Sequence, residues 1–218
     1  MRRIIGIAVC FLMMFSVINS TSATYLGGTS YGYVEKFTYG NQSSNDNIAI
    51  ITGVHPLESG FHTAMSNAVT KKSSTAHKKY TLYKVHVTQY ASDYTKGRMN
   101  GQLLAQKFVV PDVVNYKRDF VFDIHENRYT QSGYAYPRFL YPISKDQYTL
   151  GIAKFITYRM PFLKIYSPPN PTSTQYVTQP IANARIPSVI YETYMYDSAT
   201  RKATDANTFV NVIDNILF

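Results

Sequence analysis

Ile48-Ala49-Ile50-Ile51 is an unbroken apolar run between polar flanks. That pattern predicts a strand over 48–53 covered on both faces. After it the period changes. Phe61, Met65 and Val69 recur at helical spacing and predict a helix over 58–70. Tyr83, Val85 and Val87 alternate against Leu82, Lys84, His86 and Thr88, which is the period of a strand over 80–89. Met99, Leu103, Leu104 and Phe108 predict a helix over 97–110 that Pro111 should stop. Residues 119–125 read as a strand, and Ser144 as the N-cap of a helix over 145–158. A short strand is expected at 163–166 and a helix at 172–184 that Pro180 would shorten. The last elements are a strand over 187–194 and a helix over 203–217. Residues 24–47 read as a Gly-rich arm with one edge strand near 33–39, followed by a loop. Alternating strands and helices predict a single α/β domain with a mostly parallel, mixed central sheet flanked by helices.

Residues 1–23 do not belong to this pattern. Arg2 and Arg3 precede the apolar stretch 4–18, and Ser20 to Ala23 are small residues suited to cleavage. This predicts a secretory signal peptide and an α/β domain over 24–218, with an uncleaved membrane anchor as the alternative. The apolar stretch is short for a span, which needs about 20 residues. Cys10, the single cysteine, lies inside it. Cleavage after Ala23 therefore leaves about 195 residues with neither disulfides nor a thiol for catalysis or metal binding. Net charge is +9, or +7 without Arg2 and Arg3. The basic residues come in scattered pairs such as Lys71-Lys72 and Lys78-Lys79, which fit solvated turns. Their sum leaves room for an anionic cell-envelope surface as a partner. An exported chain without a DNA- or RNA-binding motif argues against nucleic acid. The 20 tyrosines and absent tryptophan suit an extracellular surface but name no ligand.

Three segments carry candidate chemistry. His55-Pro56-Leu57-Glu58 follows the first buried strand, His125 ends Phe120-Val121-Phe122-Asp123-Ile124, and Glu192 ends the strand through Val189 and Ile190. Sites in open α/β sheets form outside the carboxyl ends of the strands. Two imidazoles and a carboxylate are a known ligand set for catalytic zinc with one position left for water. Glu192 is the natural base for that water.

Gly53-Val54-His55-Pro56-Leu57-Glu58, Phe122-Asp123-Ile124-His125 and Ile190-Tyr191-Glu192 resemble the zinc carboxypeptidase superfamily. The resemblance runs over roughly 48–195 and is nearer the succinylglutamate desuccinylase/aspartoacylase branch than the digestive enzymes. It implies that His55, Glu58 and His125 hold Zn2+ and that Glu192 activates water. The family also uses arginines to polarise the scissile carbonyl and to bind a substrate carboxylate, usually with Asn before Arg. Here Gly97-Arg98-Met99-Asn100-Gly101 has those residues in another order. Arg98 is the first choice for a catalytic and substrate-binding guanidinium, with Asn100 as companion, Arg128 second and Arg138 third.

The remaining polar candidates have ordinary roles to fill. His62 fits a helix-surface or packing position, His77 a basic loop and His86 the polar face of a strand. Asp123 could orient a ligand histidine or pair with a basic neighbour. Glu126 should point away from His125 if its strand continues. The resulting expectation is a secreted zinc-dependent amide hydrolase, carboxypeptidase or deacylase-like, acting on a peptide or N-acyl amino acid, with cell-wall-derived material among the candidates. The alternatives are a non-catalytic envelope or extracellular binding protein on the same scaffold, and a metal-binding chaperone or solute receptor that binds zinc reversibly.

Overall fold

The computed structural model describes residues 23–217 except 170 and 172. The expected signal segment therefore lies outside the described residues, apart from position 23. Among the described residues eight strands form one mixed sheet. They are β1 (Thr24–Thr29), β2 (Gly32–Gly40), β3 (Asn47–Thr52), β4 (Lys79–Val87), β5 (Phe120–Asn127), β6 (Phe139–Pro142), β7 (Lys164–Ile165) and β8 (Ser188–Tyr194). Their order is β1-β2-β4-β3-β5-β8-β6-β7. The centre, β4-β3-β5-β8, is parallel, and β2 and β6 join its two sides antiparallel.

Among the described residues six α-helices cover the two faces: α1 (Ser59–Lys72), α2 (Tyr94–Leu104), α3 (Val110–Asn115), α4 (Gln147–Arg159), α5 (Thr178–Asn183) and α6 (Ala199–Asp214). On one face Phe61 and Met65 of α1, Ile152 and Ile156 of α4, and Phe209 and Ile213 of α6 pack on Ile50, Phe122 and Tyr191. On the other, Leu104, Val109, Val113 and Ile181 pack on Ala49, Ile51 and Val121. Successive strand residues alternate between these two cores. His125 therefore shares its face with Val121, and Glu192 lies opposite the face of Tyr191.

Connectivity positions the site. The crossover from β3 to β4 moves one way along the sheet, and the crossover from β4 to β5 moves back over β3. Crossovers of one hand that run in opposite directions place their helices on opposite faces. A crevice opens at the carboxyl ends of β3 and β5, where such sheets bind ligands.

Several local expectations are corrected. Pro111 does not stop its helix. The turn Ala105–Val109 widens to π geometry, with the Val110 amide donating to the Ala105 carbonyl, and the helix runs on through Pro111 into α3. The N-cap before α4 is Asp146, not Ser144, and its carboxylate accepts from the Thr149 amide at 2.8 Å. The helix expected over 172–184 is confined to α5, with Pro180 in its first turn. The Gly-rich arm is paired as well, with β1 forming a hairpin against β2.

Candidate metal centre

Gly53 follows β3 at φ +85°, and a Cβ there would meet the Val85 carbonyl at 2.1 Å. Only glycine makes that bend without strain. The chain then turns through Val54 and His55 into a single 3-10 turn, Pro56–Glu58, which brings Glu58 back beside His55. The carboxylate of Glu58 joins the pieces. Its Oε1 is 2.9 Å from His55 Nδ1, and its Oε2 is 2.9 Å from His125 Nδ1. The backbone amide of Glu126 donates to Oε2 at 3.1 Å, and Arg98 Nη1 donates to Oε1 at 2.7 Å. His55, Glu58 and His125 are each no more than 2% exposed, and one donor atom from each lies within 4.8 Å of the others.

The far side of each ring is also held. His125 Nε2 lies 3.0 Å from Asp123 Oδ2, and His55 Nε2 lies 3.1 Å from the side-chain nitrogen of Gln102. Ser173 Oγ stands 3.5 Å from His125 Nε2. Burial disfavours a charge on Glu58, but the two imidazoles and their hydrogen bonds hold its carboxyl well below the usual range. Burial lowers His55 to about 3, against the pull of Glu58. For His125 burial is outweighed by Asp123 and Glu58, which hold the imidazolium well above its ordinary value. The donor set fits a divalent ion of the zinc type: two Nδ1 atoms and a carboxylate converge, and both rings are anchored through Nε2.

Glu192 pairs with His125 in the register of β5 and β8. Partners in parallel strands project to the same side, so its carboxylate shares the face of the ligand set. Burial, reinforced by the charge of Glu58, pushes Glu192 up to about 7 against the opposing pull of His125. Asn127 donates to its Oε2 at 3.2 Å. Glu58 and Glu192 line a cavity of about 260 Å³ with Tyr94, Arg98, Arg128 and Tyr134. Arg98 and Arg128 both lie over the Tyr94 ring, at 4.9 and 5.0 Å from its centre. A larger groove of about 660 Å³ between α1 and α6 lies away from this constellation.

The structure thus gathers His55, Glu58, His125, Glu192, Arg98 and Arg128 at one sheet edge. Asn100 does not join them and is the correction at this site. Two residues along a helix turn it by about 200°, and Asn100 donates instead to the Gln89 carbonyl at 3.0 Å. Gln102, four residues after Arg98 and on its face, was not anticipated; the i,i+4 spacing from Arg98 is the signal that could have found it. Tyr134, whose hydroxyl burial raises, was not anticipated either. Arg138 is engaged elsewhere, with Asp197. Glu126 points to the opposite face and pairs with Lys202 of α6. His62 is buried, with Nε2 2.8 Å from the Ile124 carbonyl.

Neither a protein-family description nor a curated protein matches this sequence. Solved structures match its fold. A protein provisionally named carboxypeptidase A from Shewanella denitrificans OS-217 is 15% identical with a TM-score of 0.60, over 89% of this chain and 64% of that one. A metallo-carboxypeptidase from Burkholderia cenocepacia is 12% identical with a TM-score of 0.59, over 91% and 65%. The tripeptide-bound cell shape determinant Csd4 from Helicobacter pylori is 10% identical with a TM-score of 0.53, over 83% and 54%. The chain spans less than two thirds of the length of each. It has a metallocarboxypeptidase-like fold, a single α/β domain on a mixed eight-stranded sheet.

Proposed function

We propose that this chain is an exported zinc-dependent hydrolase of amide bonds, of carboxypeptidase or deacylase type. Its substrate would be a peptide or an N-acyl amino acid. One observation carries the reading: two imidazole Nδ1 atoms converge on one buried carboxylate, with Glu192 in register beside His125. Zinc held by His55, Glu58 and His125 would supply a Lewis acid and a water that ionises near neutral pH. Glu192 would be the group that holds and moves the proton between an attacking water and the leaving amine. Asn127 keeps one carboxylate oxygen engaged so that the other is left for water. Arg98 and Arg128, steadied by Tyr94, supply positive charge for the developing oxyanion and for a substrate carboxylate.

The tripeptide bound in the Csd4 structure and the signal-like segment 1–23 favour an extracellular or cell-wall peptide as substrate. The relation to the aspartoacylase branch rests on the sequence resemblance alone. The test is hydrolysis of a panel of peptides and N-acyl amino acids by zinc-loaded and chelated protein. Activity should require the metal. Glu192→Gln should keep zinc and lose on the order of a hundredfold or more in turnover. A zinc-loaded protein inert across the panel would turn the assignment toward the non-catalytic binding protein.

A further inference from the structure

A second cleft, of about 540 Å³, borders the loop after β3 through Gly53 and Pro56. Its walls are α1 and the ends of β2 and β4, on the sheet face that α1 covers. Tyr80 and Leu82 of β4 are fully covered there, whereas His86 and its neighbour Tyr33 on β2 are only half-buried. α1 turns two different stripes to its surroundings. Phe61, Met65 and Val69 enter the core. Ser59, Thr63, Ser66 and Asn67 recur at i, i+4, i+7 and i+8 and line the cleft. Serine and threonine in a helix can bond back to the carbonyl one turn earlier, as Thr70 does to Ser66 at 2.9 Å. The four cleft side chains have no hydrogen-bond partner among the described residues. Ser66 is nevertheless only 9% exposed, and a buried hydroxyl is rarely left unpaired. His62 beside it is 7% exposed, and its ring has a hydrogen bond through Nε2 alone.

The opposite wall is aromatic. Tyr33 and His86 are direct partners in the β2–β4 register, and their rings stack at 4.5 Å and 14°. The charges nearby are matched. His86 Nε2 lies 2.9 Å from Glu35, Lys84 faces Glu35 in the register, and the Lys84 ammonium lies over the Phe37 ring at 4.7 Å. An ionic ligand therefore meets no uncompensated partner charge. We propose that this cleft binds a saccharide, at a site separate from the candidate metal centre and independent of zinc. A pyranose ring has an apolar C–H face and a rim of neutral hydroxyls. The flat ring pair offers apolar area to that face. Hydroxyls both donate and accept, so the rim matches Ser66 and Asn67 in either direction. An extended peptide is held chiefly through main-chain hydrogen bonds, whereas this cleft offers side-chain groups. Its volume lies within the range of small-molecule sites, about 300–1,000 Å³.

The test titrates metal-free, 15N-labelled full-length protein with cellotriose, maltotriose and chitotriose and follows backbone amide shifts. At least one probe should give saturable shifts at Tyr33, Ser66, Asn67 and His86, with Kd in the millimolar range or tighter. Tyr33→Ala and Asn67→Ala should each weaken that binding by about tenfold. Asn67 is exposed on α1, so its variant still decides the matter if Tyr33→Ala fails to fold. Zinc affinity of Asn67→Ala should equal that of the parent. Three saccharides without saturable shifts overturn the proposal, as does saccharide binding that Asn67→Ala leaves unchanged. Trialanine or inorganic phosphate shifting the cleft amides where no saccharide does overturns it as well. Saccharide binding by a protein that takes up no zinc supports the cleft and defeats the hydrolase reading alone.

Discussion

At the residue scale, burial of His62 couples the stability of the fold to pH. His62 is buried on α1, its ring held to the Ile124 carbonyl, and burial lowers it from 6.5 to about 4. The sign follows from proton counting. The folded state takes its proton later than the unfolded chain, so the stabilisation is complete above about 6.5. It is lost as pH falls from there toward 4. The interval corresponds to roughly 3 kcal/mol as an order of magnitude. His62→Gln, which can still donate to Ile124, should flatten this loss. Urea unfolding of chelated parent and variant at pH 7 and pH 5 checks it, and an unchanged slope would clear His62 of the role. The sequence placed His62 on a helix and suggested a surface or packing position. Only the packing of α1 against β5 puts its ring under the backbone beside His125.

At the scale of elements, α2 governs the site, and its glycines let it. Gly101 packs so closely on the loop after β3 that an added Cβ would stand 2.0 Å from the Val54 carbonyl oxygen. That atom is backbone and cannot swing aside. Gly101→Ala should therefore lift α2 and carry Arg98 away from Glu58 and Gln102 away from His55. We expect a cost of about 1–3 kcal/mol and weaker zinc binding, read by denaturant unfolding and metal titration. Gly151 of α4 is the control, since nothing lies within 4 Å of an added Cβ there. Gly151→Ala should stabilise by about 0.5–1 kcal/mol and leave zinc affinity alone. Gly97 to Gly101 was legible as a candidate segment because it carries Arg98 and Asn100. Which of its side chains reach the site was not, because that depends on the rotation of α2 about its axis once it is seated.

For the whole molecule, the centre ties the loop after β3 to the end of β5, with α2 leaning on both. A ligand that binds only the folded chain stabilises it by mass action, by about 2.7 kcal/mol at a hundredfold excess over Kd. Zinc should raise the melting temperature in a concentration-dependent way, and chelation should reverse it. His125→Asn should abolish the shift; a shift that survived in that variant would place the ion elsewhere. Among the described residues no helix is long and apolar enough to cross a membrane.

The sequence by itself determined the strand–helix alternation, because each core face imposes its own period of apolar residues. It also determined the ligand candidates, because His55, Glu58, His125 and Glu192 each sit within or just beyond such a run. The antiparallel additions, the π turn before Pro111 and the Asp146 cap were hidden, since hydrogen-bond register leaves little trace in hydropathy. Tertiary structure alone decided that β3 and β5 are neighbours, that Glu192 faces His125 across one strand gap, and that Gln102 rather than Asn100 turns inward. Those facts depend on strand order and helix rotation, which are settled by contacts between residues distant in the chain.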